Sequence, residues 1–502
     1  MVQPKTTIKK SGPRPNSKQD SNNWKNTMLP PARSKKPIIS KTRFVNGLQC
    51  TKRLYWEIHE PDAPELVPAP GLQHVFSRGH VVGDRAQEYF PGGVLIGFEP
   101  YERTKKAEAT RNAIEQGAQV IYEASFFVDN LFCSADILHR NSSGWTLTEV
   151  KSSLNVSDVY VHDVAIQTYM ARLSGVDVNK MEVMVLNRDC RYPDLSNLFR
   201  QQDVTADVLS QQVGLSDKVN SFFKILDGDL PKINPGAHCN SPYRCPFVGR
   251  CCPQTPSNHI SEFYRASESL KQQLESQNLS LISDIKPGSE SFNKLSPIQQ
   301  RQVTTLLSGT LYSDHVGLKN ILDRFRGMKN IGFLDFETVM PAIPVWDGCS
   351  PFEQVPVQFS AIMCTNGRLD NPIHSDYFPL PGGDPRELEA QSLVAALGDA
   401  DVIFAYSSSM EGRCIRHLQN AVPRYRDELE HIRTKLVDLL PIVRNHVYHP
   451  NFRGSFSLKS VFPALLPNER GYVGLSIADG GTAQEVLENI LLSPEKLTLD
   501  AD

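Results

Sequence analysis

The chain has 502 residues, 40% of them hydrophobic, and a formal net charge of −3. This length predicts more than one domain, and the hydrophobic content is sufficient for packed cores. The small negative charge excludes a generally basic nucleic-acid binder, so any phosphate contact has to be local. No apolar run approaches the roughly 20 residues of a membrane helix, and ten cysteines are too few for a disulfide scaffold.

The first segment, residues 1–39, is rich in Pro, Ser, Asn and Lys and nearly free of acidic residues. This composition predicts a disordered basic tail, with a weak nucleic-acid-binding arm as the alternative. Because no secretory signal is visible, we expect a cytoplasmic protein with reduced thiols. Ser40 then predicts a helix N-cap, and the apolar spacing after it places Cys50 just inside a helix.

Two strand-like runs are separated by residues 141–144 (Asn-Ser-Ser-Gly), a composition that predicts a hairpin. Pairing of the runs would bring Asp136 and Glu149 to the same end of a sheet, where two carboxylates suit a hard divalent cation. Lys151 would share the face of Glu149, where it orients or helps deprotonate an attacking water, or neutralises phosphate charge. Glu123, in the preceding apolar run, is a third acidic candidate. The alternative is a solvated Asp beside an ordinary Glu–Lys pair.

Cysteines follow this region at even intervals, at Cys239, Cys245 and Cys251, with Cys252 as an alternative to the last. Cys50 lies far upstream. Four thiolates suit a cubane iron–sulfur cluster and equally a tetrahedral zinc ion. Disulfides are the remaining alternative, which a reducing compartment disfavours.

An Asp…Glu-x-Lys arrangement, with one cysteine before it and three after it, resembles the RecB-like PD-(D/E)XK nucleases that carry an iron–sulfur cluster. The CRISPR-associated iron–sulfur exonucleases belong to that group. The resemblance implies an α/β restriction-endonuclease-like core over residues 40–252, with a 4Fe-4S cluster on Cys50, Cys239, Cys245 and Cys251 that clips its ends together. It also implies Mg²⁺ or Mn²⁺ at the carboxylates.

The match to this group is incomplete in the helices. Gln167 lies where the group has a substrate-contacting Gln, but the Tyr expected four residues later is Ala171. The metal-binding His of a helix predicted at 71–90 is replaced by Gly83. His80, one turn earlier, is predicted to be a surface histidine.

Residues 253–327 are predicted to be a helical connector, and residues 328–502 contain a second acidic motif. Asp335 and Glu337 end an apolar strand, and its period of two places them on one face, able to share a metal. The Asp-Phe-Glu-Thr motif resembles the first motif of DEDD exonucleases, whose RNase H-like fold uses four carboxylates and two metals. Glu411 matches the second acidic position.

The end of the DEDD pattern is missing. Asp438 is predicted to cap a helix or to pack against its neighbours, and not to bind metal. Lys459 is predicted to face phosphate. Asp479 is the only nearby substitute for the fourth carboxylate. The sequence therefore predicts a truncated second domain with weak catalytic activity.

Together these features resemble a bacterial domain-of-unknown-function family that fuses a RecB-like iron–sulfur nuclease to a DEDD-like domain. The expected function is a metal-dependent DNA nuclease, acting as an exonuclease on single-stranded ends. One alternative is a non-catalytic nucleic-acid-binding or scaffold protein. Another is a 3′→5′ exonuclease acting through the C-terminal domain. DNA versus RNA, polarity and oligomeric state stay open, and no membrane is expected. The motifs that carry this resemblance are Gly47-Leu48-Gln49-Cys50, Phe90-Pro91-Gly92-Gly93, Glu149-Val150-Lys151-Ser152 and Leu334-Asp335-Phe336-Glu337-Thr338.

Overall fold

The computed structural model describes residues 37–68, 70–252, 256–469, 471, 474, 477 and 480–492. Nearly all of the predicted tail, and Asp479, lie outside the described residues. From Ile38 onward the described residues belong to one compact mixed α/β unit. Among its described helices, none is both long and apolar enough to cross a membrane.

The N-terminal part alternates helices and strands, as the sequence predicts. Its strands are β1 (Ile39–Ser40), β2 (Val94–Leu95), β3 (Val120–Val128), β4 (Leu131–Arg140), β5 (Trp145–Lys151), β6 (Val178–Leu186) and β7 (Phe199–Asp203). Its helices are α1 (Lys41–Gln49), α2 (Thr51–His59), α3 (Pro70–Gln87), α4 (Arg103–Glu115), α5 (Asp158–Leu173), α6 (Thr205–Gln212), α7 (Leu215–Asp227) and α8 (Val248–Cys251).

These strands form one sheet in the order β2-β3-β4-β5-β6-β7, with β1 paired to β4. The hairpin predicted around residues 141–144 is present, because β4 and β5 pair antiparallel with Ile137 opposite Thr148. Helix α5 then crosses over, and β6 returns parallel to β5. Alternation along β5 places Leu147 and Glu149 on the face covered by α5, where Leu147 and Val164 share the main core.

The helix predicted around Cys50 is two helices. Ser40 caps α1, as predicted, and its hydroxyl accepts a hydrogen bond from Arg43 N (3.3 Å). The prediction that Cys50 lies inside a helix is wrong, since it is extended (φ −160°, ψ 118°) between α1 and α2. The break lets α2 fold back onto α1, where an added Cβ on Gly47 would lie 2.8 Å from Leu54. The thiol therefore projects from a bend between two packed helices.

The connector is mostly helical, as predicted. It contains α9 (Glu268–Ser276), α10 (Glu290–Asn293), α11 (Pro297–Ser308), α12 (His315–Leu322) and the short strand β8 (Tyr312–Ser313). Ile260, Phe263 and Val303 belong to a small core of its own.

The C-terminal part has a second sheet. Its strands are β9 (Ile331–Val339), β10 (Val355–Cys364), β11 (Ile373–Tyr377), β12 (Val402–Ala405) and β13 (Leu436–Asp438); β14 (Val447–Tyr448) pairs separately with β8. Its helices are α13 (Arg386–Leu397), α14 (Ser409–Ala421), α15 (Arg426–Thr434), α16 (Leu439–His446), α17 (Leu458–Leu465) and α18 (Gly480–Leu492).

The second sheet has the order β11-β10-β9-β12-β13. Its first three strands are antiparallel, while β12 and β13 run parallel to β9. Leu334 and Phe336 pack with Leu393 of α13 and Ile415 of α14, so helices cover one face. Because side chains alternate along β9, Asp335 lies on the opposite face.

Candidate active site

The structure brings the first pair of predicted carboxylates together. Ile137 pairs with Thr148, so Asp136 on β4 and Glu149 on β5 are neighbours across the two strands. Val150 N donates a hydrogen bond to Asp136 Oδ2 (2.6 Å), which fixes the Asp136 carboxyl against β5. The two acids therefore lie side by side.

Glu149 is surrounded by hydrogen-bond donors. Its side chain is buried (1% exposed), and the ammonium groups of Lys41 and Lys151 each lie 2.7 Å from Oε1. Gln167 Nε2 donates to Oε2 (2.7 Å). Lys151 Nζ also lies 2.6 Å from Asp163 Oδ2 on α5. Gln167, whose predicted substrate contact stays a prediction, holds the Glu149 carboxylate, and its Oε1 has no partner within the described structure.

The protein shifts the pKa values of the two carboxyls in opposite directions. Burial acts to raise the pKa of Glu149, but Lys151 and Lys41 outweigh it and hold this pKa at about 2. Burial, with Glu149 alongside, raises the pKa of Asp136 to about 7. Burial acts to lower the pKa of Lys151, but Glu149 and Asp163 more than offset it, so this pKa is raised and the ammonium stays charged. None of the described residues forms an ion pair with Asp136; Lys41 and Lys151 act to lower its pKa, but burial and Glu149 outweigh them.

Lys41 is the residue that the sequence analysis missed. It lies 108 positions before Glu149, at the first residue of α1. Burial acts to lower its pKa, yet Glu149 raises it above the usual range. A lysine at a helix N-terminus opposes the helix dipole. That unfavourable position, directly after the Ser40 cap, is the sequence signal that points to an acidic partner elsewhere.

Glu123 also lies near this pair. It lies in β3 with φ +57°, a conformation that residues other than glycine rarely adopt, while the register of β3 with β4 is the same on either side of it. Burial raises its pKa, and Glu149 and His80 act on it electrostatically. His80 is exposed on α3, as predicted for a surface histidine. The strained backbone of Glu123 thus places a third carboxylate at the edge of the site.

The four predicted cysteines converge from distant parts of the chain. Cys50, Cys239, Cys245 and Cys251 line one cavity of about 10 Å³, together with Lys52 and Arg53, and the thiols are free. Burial raises the pKa of Cys245 and of Cys251. Cys252 does not line the cavity.

The cysteine cavity fits a thiolate-bound metal in its donor chemistry, but the thiols do not yet have ligating geometry. Four soft donors in one place suit iron–sulfur or zinc. However, the cavity has room for about one water. Nowhere in the described parts of the chain do three His, Cys, Asp or Glu side chains stand in ligating positions. Outward movement of the thiols is therefore needed for a cluster to bind.

The second set of predicted carboxylates also converges. Asp335 and Glu337 point to one face of β9, and Glu411 begins α14 with 3% exposure. Burial raises the pKa of all three, for Glu411 to about 7, and Asp335 raises the values for Glu337 and Glu411 further. Glu411 Oε2 has no hydrogen-bond partner within the described structure.

Asp438 and Lys459, two predicted neighbours of the second set, lie beside it. Asp438 caps α16, as predicted, because its Oδ1 accepts from Leu440 N (2.9 Å). Lys459 lowers the pKa of Glu337 electrostatically, so its ammonium lies near this site. An added Cβ on Gly480, the residue after Asp479, would lie 4.0 Å from Glu337 Oε2.

Residues 332–457 match a family described as Domain of unknown function (DUF2779). No curated protein matches the chain. The matched region begins in β9 and contains Asp335, Glu337 and Glu411. The first sheet and the four converging cysteines lie outside it. The match thus supports a defined domain around the second sheet and assigns no activity to either site.

Proposed function

We propose that the protein is a metal-dependent DNA nuclease that hydrolyses phosphodiester bonds at the Asp136–Glu149–Lys151 site, acting on single-stranded ends. The observation that carries this proposal is the convergence of two carboxylates and an ammonium group on neighbouring strands. The strand sequence supports it, since three antiparallel strands, a crossing helix and a parallel strand resemble the PD-(D/E)XK core.

Asp136 and Glu149 would hold Mg²⁺ or Mn²⁺, which activates water and stabilises charge on the phosphate when bound. The raised pKa of Asp136 supports a cation here, because a nearby positive charge is the usual compensation for a buried acidic pair. Glu149 Oε1 is already paired with two ammonium groups. Glu149 therefore has to exchange one of these contacts to become a ligand.

Of the roles that the motif allows for Lys151, the proposed one is to stabilise charge and not to deprotonate water. Its raised pKa keeps the ammonium protonated at neutral pH, so it does not act as the base that deprotonates water. It stabilises negative charge on the scissile phosphate. Asp163 and Glu149 fix its position from two sides, and Gln167 acts as a positioning residue for Glu149.

The cysteine cavity supports a cluster with a structural role. Cys50 lies near the start of this region and the other three thiols near its end, so a 4Fe-4S cluster, or zinc in its place, would tie the two ends together. Loop closure over this length stabilises the folded state without any part in the chemistry.

The test is Mg²⁺-dependent shortening of a labelled single-stranded DNA by Lys151→Ala. We expect a loss of at least about 100-fold, since the variant removes the positive charge at the phosphate. Lys180→Ala is the matched control, because Lys180 is half-exposed on β6 and, among the described residues, forms its ion pair with Glu182. Cleavage by Lys151→Ala at the wild-type rate refutes the assignment. Protein that retards strands but never shortens them selects the non-catalytic alternative.

A second candidate activity belongs to the C-terminal part. The order of its second sheet, with three antiparallel and two parallel strands, resembles an RNase H-like fold, and three of the four DEDD carboxylates converge on it. This favours a 3′→5′ exonuclease. The double variant Asp335→Asn/Glu337→Gln separates the two candidates, because it leaves the first site intact.

A further inference from the structure

Strand β11 (Ile373–Tyr377) forms one edge of the second sheet. On one side it pairs antiparallel with β10, in unbroken register over its whole length. Among the described strands, none pairs with its other side. An unpaired edge presents a row of backbone N–H and C=O groups that a further strand can bind. The edge of β11 is therefore a surface on which the sheet can be extended.

This edge lacks the features that usually prevent pairing. Proteins block exposed edges with bulges, lysines or prolines. Strand β11 contains no lysine and no proline, and its pairing with β10 has no bulge. Ile373, whose branched side chain suits a sheet, is 55% exposed, and so is Phe378 directly after the strand. The edge is thus regular, accessible and partly apolar.

Side chains alternate along β11 between the two faces of the sheet. Tyr377 packs against the core beneath the helices, so Ile373 and Ser375 lie on the helix-covered face with it. His374 and Asp376 lie on the opposite face, and both are exposed. The strand therefore carries a histidine and an aspartate on one face, on either side of Ser375.

This arrangement is self-complementary about a two-fold axis through Ser375. When two copies of β11 pair antiparallel about that axis, His374 of each copy lies opposite Asp376 of the other. Ile373 of each copy likewise lies opposite Tyr377 of the other. Opposite charges and aromatic–β-branched pairs both stabilise adjacent antiparallel strands. With the axis perpendicular to the sheet, the helix-covered faces of the two copies stay on the same side.

The nearest alternative registers are less favourable. Pairing about His374 places this histidine opposite itself and Pro372, which has no N–H, opposite Asp376. Pairing about Asp376 places two carboxylates directly opposite each other, which is destabilising. Of these three pairings, the strand sequence favours the one about Ser375.

The imidazole of His374 is held by the neighbouring strand. Its Nε2 lies 2.9 Å from Ser360 Oγ on β10. When the Ser360 hydroxyl donates to Nε2, the neutral ring carries its proton on Nδ1. This N–H can then donate to the Asp376 carboxylate of a second copy.

We propose that the protein associates with a second copy of itself through antiparallel pairing of the two β11 edges about Ser375. A two-fold pairing uses both edges, so the assembly closes as a dimer. The paired strands are short and the interface is small, so the association is reversible. This inference goes beyond cleavage at the first site and does not depend on it.

The dimer also determines where the second sites lie. Asp376 and Asp335 both pair with Ser360 of β10, so they lie on one face of the sheet. The two Asp335 side chains of a dimer therefore lie on the same face of the extended sheet. Five strand spacings separate the two β9 strands, a distance of about 24 Å.

A cysteine on the two-fold axis tests this geometry. Residues directly opposite each other in antiparallel strands have Cα atoms about 4.5 or 5.5 Å apart, which a disulfide can span. Full-length Ser375→Cys, treated with oxidised glutathione, should give a disulfide-linked dimer on non-reducing electrophoresis. Ser210→Cys is the matched control, since Ser210 is exposed on α6. Cross-linking of Ser375→Cys no greater than that of Ser210→Cys would overturn the proposal.

A charge exchange tests the register without a covalent link. His374→Glu places carboxylates opposite each other, and Asp376→Lys places cationic or neutral groups opposite each other. Each should weaken the dimer about tenfold in sedimentation equilibrium, because two equivalent pairs are lost. An equimolar mixture of the two variants restores opposite charges at both pairs and should dimerise as the wild type does.

Asp229→Lys is the control for the added lysine, since Asp229 is exposed in the loop after α7. It should dimerise as the wild type does, and circular dichroism should show that every variant is folded. Wild-type protein that stays monomeric up to its solubility limit would overturn the proposal. A mixture that associates no better than either variant alone would overturn the pairing about Ser375. Neither outcome depends on whether the first site cleaves DNA.

Discussion

Glu149 and Glu411, the most buried acid of each carboxylate site, compensate their negative charge in opposite ways. Glu149 is almost fully buried, with two ammonium groups and an amide on its oxygens. Glu411 is almost as buried, but one of its oxygens has no partner within the described structure, and burial raises its pKa to about 7. Glu149 is therefore balanced by the protein's own lysines, whereas Glu411, like Asp136 of the first site, keeps its charge low through protonation.

This difference has a consequence for stability. A buried charge is tolerated when it is paired, and removal of one partner leaves the others uncompensated. The first site should therefore be sensitive to neutral substitutions of its acids, while the second should tolerate or benefit from them. Four predictions test this contrast, in order of decreasing effect.

The largest effect is expected at the cysteines that close the first region. Anaerobically purified protein should be brown, with absorption near about 400 nm, and Cys245→Ser should lose the chromophore and the cleavage activity. Cys414→Ser is the control, because Cys414 is equally buried but packs in the core of the second sheet. Colourless protein that contains stoichiometric zinc would replace the iron–sulfur cluster with a zinc site. Colourless protein without bound metal contradicts both the iron–sulfur cluster and the zinc site.

Glu149→Gln should lower the free energy of unfolding by about 3–5 kcal/mol, because it leaves two buried ammonium groups beside a neutral amide. Urea unfolding followed by intrinsic fluorescence measures this. Glu337→Gln, at a half-buried acid whose pKa burial raises, should change it by less than about 1 kcal/mol. Equal losses in the two variants would remove the contrast between the sites.

Lys41→Met should destabilise the protein by about 1–3 kcal/mol, since Glu149 keeps only one of its two ammonium partners. We also expect slower Mg²⁺-dependent cleavage. Lys105→Met is the control, because Lys105 forms an exposed pair with Glu102, and exposed pairs contribute little to stability. If Lys41→Met matches the control in both measurements, Lys41 has no part in the site.

Glu411→Gln should change the pH dependence of stability. The pKa of Glu411 is about 7 in the folded protein and about 4.3 in an unfolded chain. The folded state therefore binds the proton more tightly, and its stability falls as pH rises from about 4.3 to 7. In EDTA at pH 8 the variant should be more stable than wild type by about 2 kcal/mol, with little difference at pH 4. A variant less stable than wild type at pH 8 would show that the Glu411 carboxylate is stabilised in the folded protein and would contradict its raised pKa.

Local patterns predicted much of this structure. The Ser40 cap, the β4–β5 hairpin and the common face of Asp335 and Glu337 all follow from turn composition and strand period. These features depend on residues close together in the sequence. The convergence of the cysteines was expected only from a family resemblance.

Contacts between distant residues account for what the sequence did not show. Lys41 meets Glu149 only because β1 pairs with β4 and brings the start of α1 to the site. The bend at Cys50 depends on the packing of α1 against α2. The backbone of Tyr264 is held by hydrogen bonds with α11, and its ring packs against Phe456, contacts that no periodicity reports.

The most direct test compares the two sites in one assay, the Mg²⁺-dependent shortening of an end-labelled single-stranded DNA by Asp136→Asn and by Asp335→Asn. The first variant should lose at least about 100-fold in rate, because one of the two acids that would hold the metal becomes neutral. The second should retain most of the wild-type rate. Loss of cleavage in Asp335→Asn with full activity in Asp136→Asn would place the chemistry in the second sheet and contradict the account.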